Sequence, residues 1–250
     1  MRSPYGHEKE ILLEEKYNGV ANSDYKKDCA RLDAGEPLGY VMGFVNFLDT
    51  HVDLSYHPMI PRFETAFWVK RAIEELKQKN GALRIADTFS GSGCVGLAIA
   101  KHIPNAHATF SEFDPKLKTQ IELSLSMNNV SKDRYEVFTA DSLDGLAGVY
   151  DAIVANPPYI DKDALPTLDK EMIEYEPHMA FIGQSDGRNF HKEIIERGWS
   201  LIKNGGSLYM EADSYQHDSL VSLLKNTKWT YEFWEDPYGA TPFIVLRKNV

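Results

Sequence analysis

Apolar positions recur with two different periods along this chain. In residues 8–33, Ile11, Leu12, Leu13 and Tyr17 sit among charges, and Tyr25, Cys29 and Leu32 follow at helical spacing, which predicts one or two short helices. Gly35-Glu36-Pro37 ends that region. Residues 38–57 are richer in β-branched and aromatic side chains. There Tyr40-Val41-Met42 and Val45-Asn46-Phe47-Leu48 are expected as strands, with Val52-Asp53-Leu54 as their partner. Pro58 and Pro61 close the segment. From Glu64 to Lys79, Val69, Ala72, Ile73 and Leu76 form one apolar stripe, the mark of a helix.

Beyond Gly81 strand and helix patterns alternate. Strands are expected at 83–87, 108–110, 135–138, 152–155 and 207–210, and helices at 95–102, 117–127, 188–202 and 216–226. Two last strand-like runs, 229–234 and 243–247, have no helix between them; Asp236-Pro237-Tyr238-Gly239 joins them as a hairpin. The expectation is an α/β fold: a seven-stranded, mostly parallel sheet covered by helices, with an antiparallel C-terminal hairpin. Three regions follow: a short helical region over 1–37, a β-hairpin linker over 38–60, and a main domain over 61–250.

Composition narrows the function classes. The chain has 250 residues, 43% hydrophobic and 26% charged, which suits one large globular domain with a small appendage. Twenty-seven Lys and Arg against 37 Asp and Glu give a net charge of −10. That balance argues against stable, non-specific binding to nucleic acid or an anionic membrane. Two cysteines, Cys29 and Cys94, are too few for a disulfide framework and fit a reducing compartment. No apolar stretch is long enough to span a membrane, and the first residues lack the apolar core of a signal peptide, so a cytoplasmic location is expected.

The first chemical motif is the turn from Asp87 to Gly96, which follows the 83–87 strand and opens a helix. Gly91 and Gly93 allow positive φ and close approach of a ligand to the backbone. Gly91-x-Gly93-x-x-Gly96 matches the dinucleotide fingerprint, and Glu112 ends the next strand 21 positions after Gly91, where an acid can accept hydrogen bonds from ribose hydroxyls. This pattern suits NAD and S-adenosylmethionine equally, since both carry an adenosine ribose.

The second motif distinguishes them. The 150–155 strand runs into Asn156-Pro157-Pro158-Tyr159. Two prolines fix the backbone and remove two donors, leaving the carbonyls of Asn156 and Pro157 and the Asn156 side chain as acceptors. Two acceptors match the two N–H bonds of a planar NH₂ group, and Tyr159 offers a face for stacking. Such a site would orient a weakly nucleophilic amide or amino nitrogen toward a methyl donor and support the positive charge that develops on it.

With these residues in view, the chain from about Gly35 onward resembles the HemK/PrmC family, the release-factor glutamine methyltransferases. Gly35-Glu36-Pro37-Leu38-Gly39-Tyr40-Val41-Met42-Gly43 and Met59-Ile60-Pro61-Arg62-Phe63-Glu64-Thr65 resemble that family's segments ahead of its catalytic domain. Glu174-Tyr175-Glu176-Pro177 and the run from Gly205 to Glu211 fit later motifs. The resemblance implies a Rossmann-like class I methyltransferase. Its donor would be S-adenosyl-L-methionine, released as S-adenosyl-L-homocysteine, and its acceptor the glutamine of the Gly-Gly-Gln loop of a class I peptide-chain release factor. It implies Asp87, Phe89, Gly91, Gly93, Cys94, Glu112, Phe113, Asp141, Ser142 and Asn156 around the cofactor, with Asp141 near the adenine amine. Asn156, Pro157, Pro158 and Tyr159 would form the catalytic turn, and Arg62 and Thr65 would shape the substrate side. The departures are Phe63 for the family's proline, Ala66 for its glutamate, Phe89 for the first glycine of the turn, Glu112 for the commoner aspartate, and a shorter N-terminal helical region.

Other signals lead elsewhere. Gly183-Gln184-Ser185-Asp186-Gly187 matches the nucleophile elbow of serine hydrolases, but Asp213 and His217, the acid and base that follow, are only four residues apart. An NAD-dependent oxidoreductase explains the glycines and Glu112 and leaves Asn156-Pro157-Pro158-Tyr159 without a role. An N6-adenine or other nucleic-acid amino-methyltransferase keeps both motifs and conflicts with the acidic charge. A non-catalytic S-adenosylmethionine-binding module has no use for Asn156. No metal-ligand spacing and no phosphate-binding P-loop sequence occur, so no metal is expected.

Overall fold

The computed structural model describes residues 6–183, 189–236, 239 and 243–249. Three helices lead the chain: α1 (Gly6–Glu15), α2 (Ser23–Asp33) and α3 (Leu38–Met42). Asn22 caps α2, its side chain accepting the N–H groups of Asp24 and Tyr25. Leu12, Leu32, Val41 and Met42 bury one another in this layer. Tyr40-Val41-Met42, expected as a strand, is therefore a helical turn. Pro37 precedes its first residue and Gly43, at φ +84°, closes it in the left-handed region. Packing against Leu12 and Leu32 outweighs the β-propensity of Tyr40 and Val41.

The hairpin β1 (Phe44–Phe47) and β2 (Thr50–Asp53) follows. Its free edge is met by a polar stripe on α6 (Pro115–Met127) and the residue beyond it. Gln120 Oε1 accepts the N–H of Tyr56, Ser124 Oγ that of Asp53, and Asn128 Oδ1 that of His51. Residues spaced by four lie on one helix face, so this stripe satisfies edge groups that would otherwise be buried unpaired. The hairpin is thereby fastened to the main domain, and the segment after it, 57–62, is held over the sheet.

The helix α4 (Phe63–Leu76) buries Trp68, Val69, Ala72, Ile73 and Leu76. The main sheet then comprises β3 (Leu83–Thr88), β4 (Ala106–Glu112), β5 (Tyr135–Thr139), β6 (Tyr150–Ala155), β7 (Ile202–Glu211), β8 (Thr230–Trp234) and β9 (Phe243–Arg247). Their spatial order is β5-β4-β3-β6-β7-β9-β8. The first five are parallel, and β9 runs antiparallel between β7 and β8. This is the expected seven-stranded architecture. Interior strands alternate between two cores: Ile85, Ala108, Phe110, Ala152 and Val154 on one face, Ala86, Ile153, Ala155, Leu208 and Met210 on the other. The first core packs residues of α4, of α5 (Cys94–His102) and of α6. The second packs residues of α8 (Asn189–Leu201) and α9 (His217–Leu224). A short helix, α7 (Lys170–Tyr175), which the sequence pattern did not suggest, lies between β6 and α8.

From β3 the chain moves outward to β4 and β5, then returns to place β6 on the other side of β3. The crevice at the carboxyl ends of β3 and β6 is a switch point of the sheet, where open α/β folds bind ligands.

Candidate functional site

A cavity of about 300 Å³ opens at that crevice. Its floor is the turn after β3. Asp87, fully buried, accepts the Gly96 N–H at 2.7 Å through Oδ2. Burial pushes its carboxyl well above the ordinary range, the Gly96 amide opposes that rise, and the nearby Glu112 adds to it. Gly96 has no room for a side chain: a Cβ there would meet the Phe110 ring and lie 2.8 Å from the Asp87 carboxylate. Gly91 adopts φ +53° and Gly93 φ +78°. Phe89, where a glycine was expected from the resemblance, also takes a left-handed φ of +56° and sets its ring 5.0 Å from that of Phe190 in an edge-on arrangement.

Glu112 stands at the end of β4 with its carboxylate in the cavity wall. Oε2 accepts the Gly91 N–H at 2.7 Å and Oε1 the Asp114 N–H at 2.8 Å. Burial raises its pKa and these backbone donors hold it down. A carboxylate tied to the glycine turn in this way is oriented, with acceptor capacity left for further donors. Beyond β5, Ala140, Asp141 and Ser142 complete this side, and the Ser142 carbonyl accepts the Ser111 hydroxyl at 3.0 Å.

The Asn156-Pro157-Pro158-Tyr159 turn rises from the end of β6. Asn156 is half-buried and lines the cavity, as does Pro158. Pro157 and Tyr159 are not in the cavity wall. The Tyr159 hydroxyl donates to Glu211 Oε1 at 3.1 Å, and its carbonyl accepts from the Tyr215 hydroxyl at 3.2 Å and Gln216 Nε2 at 3.4 Å. Burial, reinforced by the Glu211 charge, raises the phenol well above its ordinary value.

The remaining wall comes from residues 57–62 and 177–182. Arg62 lines the cavity and pairs with Glu176 at 2.6 Å. Thr65, also in the wall, is buried and donates to Glu211 Oε2 at 2.8 Å. Cys94 lines the floor, and burial pushes its thiol up to about 12, so it is an inert packing residue.

Most residues singled out from the sequence therefore converge. Asp87, Phe89, Gly91, Cys94, Glu112, Phe113, Asp141, Ser142, Asn156, Arg62 and Thr65 share this one cavity. Gly93 does not reach it; a Cβ there would lie 2.9 Å from Ile121, so its role is to let α5 approach α6. Sequence reasoning missed Met59, Leu117, Met179 and Phe190, whose apolar side chains carry no local signature, and gave no role to Glu211. Of the hydrolase alternative, Gln184, Ser185, Asp186 and Gly187 lie outside the described residues. Asp213 caps the turn at Tyr215, and the His217 ring pairs with Asp218. Among the described residues no group of three metal-ligating side chains occurs, and no helix is long and apolar enough to cross a membrane.

Comparison with known proteins bears on the fold and the family. Residues 71–179 match the model of the methyltransferase small domain. A release factor glutamine methyltransferase of Flavobacterium psychrophilum is 30% identical over 213 residues, covering 84% of this chain and 74% of that protein. One of the same name from Bacteroides thetaiotaomicron is 28% identical, covering 80% and 71%. Among solved structures, a methyltransferase from Pyrococcus furiosus superposes with a TM-score of 0.56 at 15% identity, covering 80% of this chain and 90% of that one. An S-adenosylmethionine-dependent O-methyltransferase from Thermotoga maritima gives 0.55 at 15%, covering 76% and 68%. These last two likenesses establish the fold.

Proposed function

This chain belongs to the release factor glutamine methyltransferase family, and on that premise we propose how its own residues carry out the transfer of a methyl group from S-adenosylmethionine to the side-chain amide of a release-factor glutamine. The observation that carries the reading is the meeting, in one cavity, of the glycine turn, the Glu112 carboxylate and Asn156.

The cavity suits the donor. Glu112 is a buried carboxylate oriented by two backbone amides and open to ribose hydroxyls. Gly91 leaves the turn bare where the methionine portion would pass, and Asp141 and Ser142 flank the place for the adenine. Phe89, Phe113 and Leu117 supply apolar walls. When bound, S-adenosylmethionine supplies an electrophilic methyl on its sulfonium.

An amide nitrogen is a poor nucleophile because its lone pair is delocalised into its carbonyl. The Asn156 side-chain oxygen, in the cavity wall, accepts one of its N–H bonds, and the carbonyl of Pro157, which lies just outside that wall, would accept the other once the glutamine enters the turn, so that its lone pair faces the methyl. Acceptors in this position gain strength as the nitrogen becomes positive, so they stabilise the transition state more than the bound amide. The nitrogen's proton becomes acidic only after transfer and leaves to solvent, yielding N5-methylglutamine. Tyr159 supports the turn from behind. Arg62 and Thr65 shape the side by which the glutamine enters, and the helical region over 1–37 serves as the docking surface. The acidic net charge suits a basic, RNA-contacting partner in the cytoplasm.

The test is intact mass and peptide mapping of a purified class I release factor after incubation with this protein and S-adenosylmethionine, beside Asn156→Ala. The expected result is one methyl on the Gly-Gly-Gln glutamine, with kcat reduced about 10²–10³-fold in the variant and donor affinity kept. No methyl on the factor, with the donor still bound, moves the acceptor to another protein or to nucleic acid. Complex formation that does not weaken with added salt counters the electrostatic part.

A further inference from the structure

Glu211 ends β7 directly behind the catalytic turn. It is 3% exposed, and among the described residues no cation pairs with its carboxylate. A buried charge without a counter-ion persists only where hydrogen bonds replace water. Three do so. Thr65 Oγ and Trp68 Nε1, one turn apart on α4, both donate to Oε2 at 2.8 Å, and the Tyr159 hydroxyl donates to Oε1 at 3.1 Å. All three partners are donors, which suits the acceptor oxygens of a carboxylate and opposes the rise in pKa that burial imposes on it. Packing alone would be met at lower cost by an apolar side chain of the same size. The carboxylate is spent on joining α4 to the catalytic turn.

We infer that Glu211 is the positioning residue of this active site: its carboxylate fixes the Tyr159 ring and so sets the direction of the Asn156 and Pro157 acceptors. Tyr159 is held at both ends, its hydroxyl by Glu211 and its carbonyl by Tyr215 and Gln216. A residue pinned at ring and backbone cannot rotate about either, and the acceptors on the same turn inherit that restraint. Glu211 does not line the cavity and acts through Tyr159. Small displacements of reacting groups cost about 10²-fold in rate, so the effect belongs in kcat. This assignment rests on the methyl-transfer reading above.

The experiment is a double-mutant cycle on the full chain: wild type, Glu211→Gln, Tyr159→Phe and both together. Glutamine keeps the size and an oxygen for Thr65 and Trp68, but turns an NH₂ donor toward the phenol. Each single variant is expected to lose about 10- to 100-fold in kcat on the release factor, with the dissociation constant for S-adenosylmethionine unchanged. In the Tyr159→Phe background, Glu211→Gln should add little, because the bond it breaks is already gone. Full activity of Glu211→Gln overturns the assignment. So does an equal loss in both backgrounds, or a loss of donor binding. If Glu211→Gln does not fold, Glu211→Asp, which keeps the charge and withdraws it by one methylene, takes its place in the cycle. If wild type itself methylates no release factor, the functional reading fails on its own. The urea midpoints of the four proteins then decide the pin: non-additive shifts support it and additive shifts overturn it.

Discussion

Arg62 and Glu176 stand 114 positions apart in the chain and meet at 2.6 Å beside the cavity. The second oxygen of the same carboxylate accepts the Ile60 N–H at 3.1 Å. One buried glutamate thus fastens the Ile60-Pro61-Arg62 segment to the wall formed by Pro177, Met179 and Ala180. The two segments have no strand or helix in common, and each alone would be a loop over an open crevice.

Replacing Glu176 with Ala frees both partners. Arg62 is partly exposed, which discounts the charge pair, so the loss of stability is expected at about 1–3 kcal/mol. Urea denaturation measures it. Affinity for the release factor should fall with it, because Arg62 no longer has a fixed position; an unchanged midpoint and an unchanged KM would refute the fastening.

Gly96→Ala places a methyl against the Phe110 ring and the Asp87 carboxylate. Neither neighbour has room to retreat, since both are buried in interior strands. Overpacking of this kind costs about 1–3 kcal/mol. The Asp87–Gly96 bond lengthens with it, so titration calorimetry should show weaker S-adenosylmethionine binding alongside a lower melting temperature. Normal binding in a destabilised protein would separate the glycine's packing role from the cofactor.

Glu112 gives a pH signature. Its folded-state pKa is raised above the ordinary 4.5, chiefly by burial. A proton on this group therefore favours the folded state. That contribution is complete below the unfolded value and is lost as pH rises through the folded one. Glu112→Gln carries no such proton, so wild type should gain stability relative to the variant as the pH falls from neutral toward 4.5. Chemical denaturation at several pH values without ligand reads this difference. The variant should also bind S-adenosylmethionine about tenfold more weakly, having lost the charge that strengthens bonds from hydroxyls.

Phe89 is a large side chain at a left-handed φ. Phe89→Ala and Phe89→Gly both remove its contact with Phe190, but only glycine removes the backbone strain. The strain is about 1–2 kcal/mol and the extra chain entropy of glycine about 0.5–1. The glycine variant should therefore be the more stable of the two by about 0.5–1 kcal/mol. An alanine variant more stable than the glycine variant by about 0.5–1 kcal/mol would mean that the turn bears no strain.

The motifs were legible where their residues are contiguous. Asn156-Pro157-Pro158-Tyr159 and the turn from Asp87 to Gly96 each declare themselves within ten positions, and the structure brings Asn156 and Gly91 to one cavity. The alternation of strand and helix beyond Gly81 was equally plain, because interior strands buried on both faces leave long apolar runs. Two things escaped. Tyr40-Val41-Met42 has the composition of a strand, and only the distant Leu12 and Leu32 make it a helix. Glu211 looks like any acid at a strand end, since the residues that reveal it, Thr65, Trp68 and Tyr159, lie 146, 143 and 52 positions away.

The place of β9 sets an order of events during synthesis. Residues 243–247 come last of the seven strands along the chain yet lie inside the sheet, between β7 and β8. As the chain leaves the ribosome, β7 must wait as an open edge and β8 has nothing to pair with. Glu211 pairs in register with Phe243. The strand end that carries this carboxylate therefore gains its outer partner, and Trp68 its neighbouring Phe243 ring, only when that late strand docks. A nascent chain halted before Phe243 should be inert as an enzyme and prone to edge-to-edge association, although every residue that lines the cavity has already been translated.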